Sequence, residues 1–139
     1  MTQVTVQKIV EGNAHVVVRV DMLADGSGEL VDFPILSPAD LDPQRKPNAP
    51  AFRLMQIWYG LIWFDVVIKS GGITPHTMWT LARDCDSHTD FRSFGGILDP
   101  GVYETPPHAD TGILLLSTNG FTTAGAQGTL VFELRKTNG

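Results

Sequence analysis

The 139 residues, 42% of them apolar and only 18% charged, suit one globular domain that can bury a core without covalent staples, and they exclude a disordered chain. A net charge of −5 and ten scattered basic residues, never more than two in succession, speak against a nucleic-acid partner. The lone Cys85 excludes an intrachain disulfide framework.

The opening "MTQVTVQKIV" lacks the basic-then-apolar order of a secretory leader. The longest apolar region, Ile57 to Ile68, is interrupted by Gly60 and Asp65 and is too short for a bilayer. The expected site of synthesis is therefore the cytoplasm, with no membrane partner.

Alternation with period two dominates the chain. Val4 and Val6 share one face of a first strand, and Val16, Val18 and Val20 share one face of a second, with His15, Arg19 and Asp21 opposite. "ADGSGE", Ala24 to Glu29, supplies a turn, after which Val31, Phe33 and Ile35 resume the pattern. These three segments predict a meander. Ser37 to Pro50 is a Pro-rich loop or arm, in which Ser37 can cap a single helical turn.

Phe52 to Gly72 reads as two strands, Phe52 to Tyr59 and Leu61 to Lys69, bent at Gly60. From Pro75 to Pro107 the pattern weakens to an irregular, loop-rich region, with a short strand near Met78 to Leu81. Ile113 to Leu116 is an apolar run suited to a strand buried on both faces. Leu130, Phe132 and Leu134 then alternate with Thr129, Glu133 and Arg135, so a last strand is expected to pair back on its predecessor and close a sheet. Seven or eight short strands with long loops predict an all-β antiparallel sandwich or jelly-roll-like domain spanning 1–139.

Candidate chemistry is sparse. "DCDSHTD" places Asp84, Asp86, His88 and Asp90 at every second position, where three carboxylates and an imidazole are candidate cation ligands. A calcium loop needs a turn-making glycine and wrapped ligands, which this stretch lacks, so a solvated polar loop is the favoured reading. His108 and Asp110 suit an oriented base, but an exposed loop accounts for them as well. Cys85, flanked by two aspartates that raise its pKa, reads as an inert thiol. Trp58, Tyr59, Trp63 and Trp79 suit either a sugar-stacking platform or core and interface positions.

The closing segment carries a resemblance. Gly112 to Thr118 ("GILLLST"), then Gly120, Thr123-Ala124-Gly125 and "TLVFELRK", is similar to the C-terminal signature of small virion proteins of tailed bacteriophages. The earlier "FDVVIKSGG" and "FRSFGGILDPG" resemble the segments before it, so the likeness runs from Trp63 to Lys136. Here Ile113 follows Gly112 directly, where such proteins carry an aspartate.

The resemblance implies a non-enzymatic β-sandwich subunit of a virion, without cofactor. It would be made in the host bacterial cytoplasm and present in many copies as a collar or neck component at the head–tail junction, or as a capsid decoration protein. Its expected partners are copies of itself and capsid, portal or neck proteins. The Pro-rich arm with Gln44, Arg45 and Lys46, the first strand, and Trp79 are the expected contact elements. A carbohydrate-binding module for host recognition is the alternative, and a small metal-dependent enzyme the less favoured one.

Overall fold

A computed structural model describes residues 3–12, 14–37, 40, 52–71, 75–84, 86–97 and 113–136. Within them lie nine strands: β1 (Gln3–Glu11), β2 (His15–Leu23), β3 (Phe33–Leu36), β4 (Phe52–Ile62), β5 (Asp65–Ser70), β6 (His76–Leu81), β7 (Asp86–Asp90), β8 (Leu114–Asn119) and β9 (Gln127–Lys136). They form two antiparallel sheets, one ordered β1-β2-β9-β4-β7 and the other β3-β8-β5-β6. The all-β sandwich expected from the alternation is thus present.

The inward residues of each strand make the core. Val16, Val18, Val20 and Met22 of β2 lie beside Leu130, Phe132 and Leu134 of β9 and Leu54, Ile57 and Leu61 of β4. Val66 and Ile68 of β5, Leu114 and Leu116 of β8, and Met78 and Leu81 of β6 contribute from the other sheet. Each such side chain stabilises the fold by roughly 1.5–3 kcal/mol relative to exposure. Phe64 and Phe121, both fully buried, meet at 4.8 Å with planes tilted 54°, plugging one end of the sandwich.

Four expectations need correction. The first three segments are not a meander: β1 and β2 form a hairpin, while β3 crosses to the other sheet and pairs with β8. The last strand does not pair with its predecessor. β9 lies in the centre of the five-stranded sheet between β2 and β4, and β8 lies in the four-stranded one.

The third correction concerns the long apolar run, which breaks at Trp63 rather than Gly60. Gly60 is an ordinary ladder position opposite Thr129, whereas Trp63 has φ 75° and its N–H donates to Asp84 Oδ1 at 2.8 Å. β4 carries its irregularity earlier instead, between Leu54 and Gln56. Finally, the region from Pro75 onward holds more order than expected. β6 spans His76–Leu81, and Asp86–Asp90 is a strand paired with β4 rather than a loop.

The crossover from β8 to β9 explains the Gly/Thr/Ala-rich closing segment. Glu29, reaching from the loop after β2, accepts hydrogen bonds from the Thr118 hydroxyl (2.8 Å), the Gly120 N–H (2.7 Å) and the Phe121 N–H (2.9 Å). Gly120 has φ 97°, and a Cβ there would stand 2.9 Å from the Trp63 carbonyl oxygen, so only glycine fits. Gly125 (φ 95°) donates its N–H to the Ala24 carbonyl at 3.0 Å as the chain enters the second sheet.

Candidate functional site

The outward face of the five-stranded sheet carries an open groove of about 1090 Å³. Two neighbouring rows of residues build it, each crossing four strands by antiparallel register. One row runs Thr5, Asp21, Thr129, Gly60, and the next runs Arg19, Val131, Trp58, His88. Gly60 is the point where a side chain is missing from the centre of this face. A Cβ built there meets nothing within 4 Å, so the ladder has a well one side chain deep.

Trp58, 39% exposed, stands beside that well. Its indole stacks on the His88 imidazole at 4.9 Å with planes only 5° apart. The His88 Nε2–H donates to Gln56 Oε1 at 2.8 Å, in the tautomer set by the next link, where Gln56 Nε2 donates to Glu133 Oε1 at 2.9 Å. This chain of contacts fixes the tryptophan from the β7 side, so the opposite indole face is directed over β9 and the groove.

Across the groove, Asp21 is held by three donors. Arg19 Nε and Nη2 donate at 2.9 and 3.2 Å, and the Thr129 hydroxyl donates at 2.8 Å. The Arg19 hydrogen bond draws the Asp21 carboxyl below the ordinary carboxylate range, partial burial opposes it, and the Thr129 bond adds to the lowering. Asp21 therefore presents an ionised acceptor at neutral pH. Gln3, Thr5 and Gln127 add neutral polar groups, while exposed Leu23 and Ile62 form an apolar rim.

The described side chains of the acidic stretch "DCDSHTD" do not gather. Asp84 lies in the turn before β7 with φ 56° and accepts the Trp63 N–H, and His88 is engaged by Gln56 and Trp58. Asp90 is clasped by Arg92, whose guanidinium and backbone N–H hold its carboxyl down to about 2. Asp86 pairs with Gly60 through backbone register. Among the described residues, no group of three or more potential ligands stands close enough to hold a metal ion.

The four-ring platform is dispersed as well. Trp58 and Tyr59, adjacent in a strand, point to opposite faces, and Trp63 sits in the β4–β5 turn. Trp79, 41% exposed on β6, meets the buried Phe91 edge-on at 4.8 Å, and Phe91 in turn contacts the exposed Phe94 at 6.0 Å. Gln44, Arg45, Lys46, Cys85, His108 and Asp110 lie outside the described residues.

A second surface feature is β1. Among the described residues it pairs with β2 alone, and of its nine residues only Val4 and Glu11 are partly buried. Val6, Ile9 and Val10 are exposed. The ladder is irregular between Lys8 and Val10, and Lys8 Nζ is bound to Glu11 Oε1 and the Asp40 carbonyl, leaving Gln3 to Gln7 as the regular part of this edge.

No family model matches the chain, and no curated protein matches it.

Proposed function

We propose that the chain is a non-enzymatic structural subunit of a tailed-phage particle, assembled in many copies as a collar or neck component or as a capsid decoration protein. The observation that carries this reading is the edge strand β1. Seven of its nine residues are exposed, valine and isoleucine among them, and it offers a row of backbone donors and acceptors to a neighbouring copy. Repeated around a symmetric assembly, one such modest contact per subunit is multiplied into a stable ring or lattice. The resemblance of the segment from Trp63 to Lys136 to small virion proteins supplies the particle. A second patch, Trp79 with Phe94, has the exposed aromatic character of interface anchors.

The test is immunogold labelling of gradient-purified particles with antibody against the recombinant chain. Label at the head–tail junction identifies a neck component, and label over the head identifies a decoration protein. Absence of the chain from banded particles overturns the reading. Deleting residues 44–49 tests the Pro-rich arm as a contact element, with reduced incorporation as the expected result.

A further inference from the structure

We propose that the groove on the outward face of the five-stranded sheet is a glycan-binding site, taking one pyranose ring against Trp58 and above Gly60. The inference stands apart from where the protein resides, because it rests on the groove alone.

Three features point to a sugar. A pyranose has an apolar C–H face and a rim of hydroxyls, so its receptor needs a flat, oriented aromatic surface beside a bank of fixed hydrogen-bonding groups. Trp58 provides the surface, and its orientation is set in advance by the parallel His88 ring and the Gln56–Glu133 chain behind it. Asp21 and Thr129 provide the bank, fixed by Arg19 and by each other. Little side-chain freedom remains to be lost on binding.

The spacing also fits. Asp21 lies two strands from Gly60 through Thr129, and strands are about 4.8 Å apart, which gives a span of roughly 10 Å. That span holds one hexose ring with its hydroxyls, seated in the well where Gly60 has no side chain.

Charge narrows the ligand further. Asp21 and Asp84 put carboxylates in the groove, and the guanidinium of Arg19 is already engaged by Asp21. No lysine or arginine is among the groove's described lining residues, so a phosphorylated or otherwise anionic ligand would face the Asp84 carboxylate without a cation to receive it. Neutral and amino sugars are the class that fits, with Asp21 accepting from hydroxyl or ammonium groups.

The probe is a glycan array of neutral, amino and acidic oligosaccharides, followed by calorimetry on the retained compounds. Neutral or amino sugars should be retained, and Trp58→Ala should weaken them by roughly tenfold or more, a loss of about 1.4 kcal/mol. Gly60→Val fills the well at a strand position with open space, so it should abolish retention while leaving the melting temperature unchanged or raised. Trp79→Ala, on the other sheet, should bind like the wild type.

Retention of no glycan, or of acidic glycans alone, overturns the proposal. So does retention that Trp58→Ala and Gly60→Val leave untouched. A Gly60→Val chain that changes oligomeric mass by light scattering, with no sugar bound by the parent, would make the groove a contact between copies and overturn it equally.

Discussion

Lys136 Nζ lies 2.9 Å from Glu11 Oε2 and 2.7 Å from the Gly12 carbonyl oxygen, and its side chain is entirely withdrawn from solvent. The last residue of β9 thereby closes onto the β1–β2 turn, where its backbone N–H also donates to the Ala14 carbonyl at 2.7 Å. This contact gives the lysine that closes "LRK" a structural reason. Glu11, 19% exposed, keeps a second cation in Lys8 at 2.9 Å. Lys136→Ala leaves the Gly12 carbonyl and the partly buried Glu11 carboxylate short of a donor. It should cost about 2–3 kcal/mol, below the full range for a buried pair because Lys8 and water still reach Glu11. Urea denaturation measures it, and Glu11→Gln combined with Lys136→Met should recover part of the loss.

Two glycines on neighbouring strands should respond in opposite directions. A Cβ at Gly128 would stand 2.8 Å from Leu61 Cδ2, 2.9 Å from Phe64 Cζ and 3.1 Å from the Gly60 carbonyl oxygen. Gly128→Ala should therefore destabilise by roughly 1–3 kcal/mol through overpacking. At Gly60 the space is open, and Gly60→Ala should stabilise by about 0.4–1 kcal/mol by restricting the unfolded chain. Paired thermal melts decide the sign at each position.

Acid should unfold the protein through a small set of carboxylates. Arg19 lowers Asp21 and Arg83 lowers Asp65 by direct hydrogen bonds, with burial opposing in both cases. Burial pushes Glu29 upward, but the donors from Gly120, Thr118 and Phe121 outweigh it. Because these folded-state values lie below the unfolded ones, their stabilisation is present in full above the ordinary carboxylate range, near pH 4, and is lost as pH falls further. Denaturation midpoints should stay level from about pH 7 to 5 and drop below about 4. Glu29→Gln should lower the plateau and flatten the acid limb. Asp90, exposed and held to about 2 by Arg92, contributes little because water screens it.

Calcium offers a direct check on the acidic stretch. Asp84 is committed to the Trp63 N–H, Asp90 to Arg92, and His88 to Gln56. A tight cation ligand must raise the melting temperature by mass action. Adding about 1 mM Ca²⁺ should move the melting temperature by less than about 1 °C. A rise of several degrees would mean that these residues regroup around the ion.

The hydrophobic alternation was enough to identify strands, because burial of one face is a local property of a pleated chain. Val16, Val18 and Val20, and likewise Leu130, Phe132 and Leu134, are fully buried where the period-two pattern places them. The residues of "DCDSHTD" misled for the same local reason. Polar alternation reads as a loop when the strand that flanks it, β4, is not yet known to pair with it.

Partner choice belonged to the tertiary structure. β8 and β9 are consecutive in sequence yet enter different sheets, because the Glu29 carboxylate, some ninety residues away, captures the backbone between them. The groove has the same origin. Thr5, Asp21, Gly60 and Thr129 are scattered from end to end of the chain, and their own neighbours give no hint that they belong together. Only the register of β1, β2, β9 and β4 lines them up, and that register is set by which faces the whole sandwich can bury.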